Sequence, residues 1–113
     1  MSLPGKAALL RIFVGEADRA DGRPLHEAIV LKAREQHLAG ATVVKGVMGF
    51  GANSRVHSAG VLRLSEDLPL IIEIVDERAK IDAFLAHLDG LIREGLATIE
   101  EVEVVWYRSS KRR

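Results

Sequence analysis

Hydrophobic positions along this chain change their period in an informative order. Residues 7–14, AALLRIFV, form a short apolar run rich in branched and aromatic side chains, closed by Gly15, which predicts a buried strand. EADRADG, at 16–22, reads as a polar loop. Pro24 suits the first turn of a helix, where its missing N–H would have no partner in any case. The following LHEAIVLKAREQHLAG places Leu25, Ala28, Ile29 and Ala33 on one stripe and Glu27, Arg34 and Glu35 outside it. This predicts an amphipathic helix, with Gly40 as its left-handed stop. ATVVKGV from Ala41 is a second strand, and LPLIIEIVD from Leu68 contains a third. Asp76 is placed to cap a second helix, on which Ile81, Phe84, Leu85, Leu88 and Leu91 recur at three and four residues and share a face. A turn at Gly95 leads into ATIEEVEVVWY, a final alternating strand.

The order β-α-β-β-α-β predicts an α+β, ferredoxin-like fold: a four-stranded antiparallel sheet with both helices on one face. Right-handed crossovers set the strand order at 4-1-3-2, with the first and third strands central. If Leu10, Ile12, Ile72 and Ile74 face the helices, then Leu9, Phe13, Ile71 and Val75 occupy the other face together with Arg11 and Glu73. That face is too apolar to stay wet. It is expected to pack against other copies of the chain with Arg11 and Glu73 paired there, because an unpaired buried charge is strongly unfavourable.

Length and charge narrow the function. The 113 residues correspond to one domain, 1–113, with 1–6 and 109–113 expected as flexible ends. Sixteen basic and sixteen acidic side chains cancel, so the field that drives phosphate-backbone binding is missing and nucleic acid is not an expected partner. The absence of cysteine removes disulfide frameworks, thiolate catalysis and cysteine-based zinc sites. The longest apolar run, around Leu70, Ile71 and Ile72, falls far short of the ~20 residues that cross a bilayer. No membrane insertion and a cytoplasmic location are therefore expected.

Candidate chemistry concentrates in GVMGFGANSRVHSAG, at 46–60, which holds four glycines, two serines, one arginine and one histidine. Glycine permits close backbone approach, and a curl of exposed N–H groups cradles anions. The candidate ligand-binding residues are Gly46, Gly49, Phe50, Gly51, Ser54, Arg55 and His57. Phe50 offers an apolar surface to a base or anchors the loop in the core. The connection from 49 to 67 exceeds the ~12–15 residues beyond which an unstructured loop is usually functional or disordered. The motif is neither a GxxxxGK[ST] phosphate loop nor a GxGxxG opening a helix.

The stretches LRIFVGEADR, GRPLHEAIV, GATVVKGVMGFGANSRVHSAGVLRLSEDLPLIIEIVDE and GLATIEEVEVV together resemble the bacterial and archaeal family called domain of unknown function 190. That family is grouped with PII-like proteins, which are similar to the nitrogen-signalling PII trimers. KGVMGFG looks like the KGFG stretch at which PII proteins begin their effector loop. The resemblance implies a homotrimer with ligand clefts between subunits and an adenine nucleotide as ligand. It also implies that residues 49–67 contact a partner, with a membrane transporter such as a fluoride exporter as the candidate. DGLIREGLATIEE, before the last strand, carries Arg93 as its only cation and lacks the glycine- and lysine-rich phosphate loop of PII proteins. AMP or ADP is thus expected rather than a triphosphate, with a fallback anion site near Arg93 and Arg108.

Catalysis is not expected, because no carboxylate pairs with a serine or histidine at a spacing that marks a site. Asp67 reads as part of a solvated turn. His26, His37, His57 and His87 are scattered, with no i, i+4 pair to hold a metal, and His26, His37 and His87 read as solvent-side helix residues. Two alternatives remain: a divalent-metal tolerance protein, since the copper-tolerance relatives of PII share the fold, and a small enzyme.

Overall fold

A computed structural model describes residues 3–50 and 67–110. The first strand, β1 (Gly5–Gly15), is followed by a two-stranded hairpin, β2 (Arg19–Ala20) and β3 (Arg23–Pro24), and by α1 (Leu25–Glu35). Strands β4 (Thr42–Lys45) and β5 (Pro69–Asp76), helix α2 (Arg78–Leu88) and strand β6 (Leu96–Val104) complete the chain. All pairings in the four-stranded sheet are antiparallel, and its order is β4-β5-β1-β6. Counted among the four long strands alone this is the order 4-1-3-2. The label shift comes from β2 and β3, which form a separate small sheet.

That hairpin replaces the expected polar loop. Asp21 and Gly22 both have positive φ, 53° and 77°, the signature of a two-residue type I′ turn between Ala20 and Arg23. Pro24 is the N-cap residue of α1 rather than a residue of its first turn.

Alternation in β1 and β5 sorts the core. Leu10, Ile12, Val14, Leu70, Ile72 and Ile74 are buried, and the helices cover them with Leu25, Ile29, Ala33, Ile81, Phe84 and Leu88. The α1 stripe is the one the spacing predicts: Leu25, Ala28, Ile29 and Ala33 are buried. On α2, Ile81, Phe84 and Leu88 are buried and Leu85 packs half-buried at the margin, whereas Leu91, expected on the same helix face, lies beyond the helix end and is half-buried there.

Helix α1 stops earlier than Gly40, and its left-handed residue is His37, with φ 61°. The N–H of His37 donates to Arg34 O and that of Leu38 to Ala33 O, closing a Schellman motif in which Leu38 packs against the core. His37 is therefore outside the helix. His26 is half-buried rather than solvent-side, with an enclosed Nδ1 that has no hydrogen-bond partner among the described residues.

Asp76 does not cap α2; Glu77 is the N-cap residue and its side chain makes no cap bond. Asp76 is fully buried and joins two segments instead. Its Oδ2 accepts the Ala39 N–H at 2.9 Å, its Oδ1 accepts the Glu77 N–H at 2.7 Å, and Lys80 Nζ lies 3.9 Å away. A carboxylate in the last position of an inner strand thus ties the entry of β4 to the start of α2.

The other face of the sheet is half-exposed: Leu9, Phe13, Ile71 and Val75 surround Arg11 and Glu73. Arg11 and Glu73 are direct cross-strand neighbours, and Arg11 Nε donates to Glu73 Oε2 at 2.9 Å. The pair expected on this face thus forms within one chain. Glu100 on β6 supplies a second carboxylate to Arg11 Nη1 at 2.7 Å. The Glu73 hydrogen bond, reinforced by Glu100 and only partly offset by desolvation, raises the Arg11 pKa above its ordinary value.

The N-terminal end is tied down further than expected. Leu3 is buried, and Gly5 and Lys6 pair with Val104 and Glu103. Past β6 the chain leaves the sheet, and the Tyr107 hydroxyl donates to Ala39 O at 2.8 Å. Arg108 stacks on Trp106, 4.8 Å from its ring centroid.

Replacing Asp76 by Ala leaves the Ala39 and Glu77 N–H groups without their acceptor. Urea denaturation of this variant is expected to show a stability loss of about 1–3 kcal/mol. An unchanged midpoint would mean that the carboxylate does not hold the two segments together.

Candidate ligand site at the root of the loop

The candidate site lies where β4 ends and β5 begins. At the β4 end, the Gly46 N–H donates to Pro69 O at 2.8 Å, continuing the ladder one step beyond the strand. A Cβ on Gly46 would stand 2.7 Å from Pro69 Cγ and one on Gly49 would stand 3.0 Å from it. Their need for glycine is therefore steric contact with the rigid Pro69 ring. The glycines make the corner on which the loop stands.

Turning the chain this way leaves three large apolar side chains outside. Val47, Met48 and Phe50 are 91%, 71% and 70% exposed. Of the two roles considered for Phe50, a free surface is what the structure displays, since it is not packed into the core. Gly46, Gly49 and Phe50 thus come together at the root. Gly51, Ser54, Arg55 and His57 lie outside the described residues.

Several residues that hold this root carried no functional signal in the sequence. Lys45 Nζ pairs with Glu16 Oε2 at 2.8 Å, and the Glu16 N–H donates to Leu68 O at 2.8 Å. Asp67 is half-buried rather than part of a solvated turn: its Oδ1 accepts the Ala17 N–H at 2.8 Å. Asp18 completes the turn by accepting the Gly15 N–H on Oδ2 at 2.8 Å. Residues 15–18, at the end of β1, therefore bind both roots of the loop.

Arg93 and Arg108 do not form one site. They flank β6 at opposite ends, and nine extended residues at about 3.3 Å each separate them by roughly 30 Å. Among the described residues no group of three or more His, Cys, Asp or Glu side chains is arranged to hold a metal ion. No helix there is long and apolar enough to cross a membrane.

Comparison with known proteins places the chain in a family. A UPF0166 protein of Aquifex aeolicus is 37% identical over 101 residues, covering 89% of this chain and 95% of that protein. The UPF0166 protein of Methanocaldococcus jannaschii is 35% identical over 100 residues, covering 88% and 92%. Among solved structures, CPII of Thiomonas intermedia, bound to ADP, AMP and acetate, superposes with a TM-score of 0.61 at 14% identity, covering 92% of each chain. A putative PII-like signaling protein of Thermus thermophilus gives 0.60 at 17% identity, covering 93% of this chain and 94% of that one. The fold is thus PII-like. A family model described as DUF190, Uncharacterized ACR, matches residues 7–104, and this chain belongs to that family.

Proposed function

We propose that this protein is a non-catalytic, PII-like ligand sensor. It binds an adenine mononucleotide, AMP or ADP, at the root of the loop and between copies of a homotrimer. The observation that carries the reading is the root itself: a glycine corner locked on Pro69 that holds Val47, Met48 and Phe50 in solvent. Large apolar side chains presented this way are available to an adenine ring or to a neighbouring copy. CPII, whose fold is similar, was captured with ADP and AMP. Beyond the described residues, Gly51 brings backbone close to the phosphate, Arg55 supplies charge, and Ser54 and His57 supply donors.

Assembly of copies has a separate support. Leu9, Phe13, Ile71 and Val75 are half-buried on the open sheet face, and Leu96 at its edge is 59% exposed. A second copy removes this apolar area from water, and a closed ring of three satisfies every copy alike. Residues 49–67 then carry the ligand state to a partner. A membrane transporter as partner follows from the family resemblance, and co-purification with a fluoride exporter in the presence and absence of ADP tests it; the cytoplasmic location expected from the sequence belongs to the same reading.

Calorimetry with AMP and ADP is the primary test. Binding of either supports the reading, and binding of neither overturns it. Uptake of a divalent ion instead replaces it with the metal-tolerance reading.

Three variants sharpen the test. Gly46→Val drives its Cβ into Pro69 and should lower stability by about 1–3 kcal/mol; it should also abolish nucleotide binding. Phe50→Ala removes an exposed side chain and should leave stability within about 0.5 kcal/mol of the parent. Its nucleotide affinity should drop by about 1–3 kcal/mol through lost stacking. Arg55→Ala should weaken binding by ~1.5–3 kcal/mol through a lost charge-assisted contact. Unchanged affinity in both Phe50→Ala and Arg55→Ala would place the nucleotide elsewhere.

A further inference from the structure

The two roots of the loop meet at one residue. The Glu16 N–H donates to Leu68 O at 2.8 Å, and Glu16 Oε2 accepts from Lys45 Nζ, also at 2.8 Å. Glu16 therefore touches the chain on both sides of the loop, through its backbone on one side and its carboxylate on the other.

These two contacts differ in strength. The backbone bond carries the β1–β5 ladder one step past Gly15 opposite Pro69, and beside it the Ala17 N–H is held by Asp67 Oδ1 at 2.8 Å. A Cβ on Gly15 would stand 2.8 Å from that same oxygen, so the Asp67 carboxylate is packed directly on the turn. The Glu16–Lys45 pair is open to water, with the Lys45 side chain 54% and the Glu16 side chain 40% exposed, and an ion pair in that setting is weak and exchanges readily. Lys45 is the member that can move. Its backbone is fixed opposite Leu70, but its ammonium rides on a flexible four-carbon stem, whereas the Glu16 backbone is bound to Leu68.

Charge around the pair is lopsided. Residues 15–18, 42–50 and 67–70 hold Lys45 as their only cation against Glu16, Asp18 and Asp67. Asp18 and Asp67 each commit a carboxylate oxygen to a turn N–H, of Gly15 and Ala17 respectively, which keeps both carboxylates on the turn that carries Glu16. A phosphoryl group arriving at the root thus meets one ammonium, already paired, in a field of net negative sign.

We propose that Glu16 sets which phosphate ligands the loop root accepts, an inference that rests on the nucleotide reading of that root. A bound phosphoryl group takes the Lys45 ammonium from Glu16, and the displaced carboxylate stays beside it together with Asp18 and Asp67. Repulsion from these groups grows with the charge of the ligand. The root therefore favours a monophosphate over a diphosphate or triphosphate.

The test is a set of NMR titrations of the ¹⁵N-labelled protein at constant ionic strength with inorganic phosphate, pyrophosphate and AMP, reading the Lys45 and Gly46 amides. Glu16→Gln keeps an oxygen that accepts from Lys45 and removes the charge, and it leaves the backbone bond to Leu68 in place. This variant should bind phosphate about threefold and pyrophosphate about tenfold more tightly than the parent. Lys45→Gln should weaken both about tenfold or more. A merely structural role for Glu16 would change the two anions by the same factor, so the graded gain is the signature of charge. Equal affinities in parent and Glu16→Gln, an equal gain for both anions, or non-saturating shifts with pyrophosphate in Glu16→Gln would overturn the proposal. Absence of AMP binding with the graded anion response retained would remove the nucleotide reading and leave the charge selection by Glu16 standing. AMP binding that is unchanged in Glu16→Gln would remove the role of Glu16 and leave the nucleotide reading standing.

Discussion

Pairing of β1 with β5 is the constraint on which the rest of this structure depends. The two strands meet in eight consecutive pairs, from Ala8 opposite Asp76 to Gly15 opposite Pro69. Because side chains alternate, a slip of one residue would turn Arg11 or Glu73 toward Ile29 and Phe84 and expose Leu10 or Ile72. Register therefore separates a dry face under the helices from a half-wet face. On the half-wet face, Arg11 has a carboxylate partner on each side, Glu73 from β5 and Glu100 from β6.

The two ends of that ladder have different tasks. At one end, Asp76 is buried and gathers backbone donors from Ala39 and Glu77, and the Tyr107 hydroxyl lands on the carbonyl of that same Ala39. Interior polar bonding of this kind makes the end rigid. At the other end, Pro69 supports Gly46 and Gly49, and the turn at 15–18 holds Lys45, Asp67 and Leu68 through Glu16 and Ala17. A fixed platform at this end leaves the apolar side chains of Val47, Met48 and Phe50 presented to solvent.

Periodicity carried what depends on spacing alone. The stripes of Leu25, Ala28, Ile29 and Ala33 and of Ile81, Phe84 and Leu88 need no knowledge of partners, and the inward set of β1 and β5 follows from alternation. Features that depend on distant partners were not legible. Asp76 resembles a helix cap until Ala39, 37 residues away, is seen to donate to it, and Glu100 reaches Arg11 across 89 residues. His37 in a left-handed cap runs against the usual glycine, so Gly40 drew the assignment instead. The Asp21–Gly22 turn carried a readable hairpin signal, masked by polar flanks that gave no strand pattern. At the loop root, the density of glycine marked Gly46 and Gly49, but the surface they approach is Pro69, which only the β4–β5 pairing brings beside them.

The central claim is that the glycine corner and its exposed side chains are where a nucleotide meets the protein. A crystal structure grown with ADP tests it most directly. The account predicts the adenine ring against Phe50, the phosphates within hydrogen-bond distance of backbone N–H groups at the loop root, and side chains of a second copy closing the cleft. ADP bound on the helix side of the sheet, or against the Arg11 cluster on the open face, with Phe50 left in solvent, would contradict it.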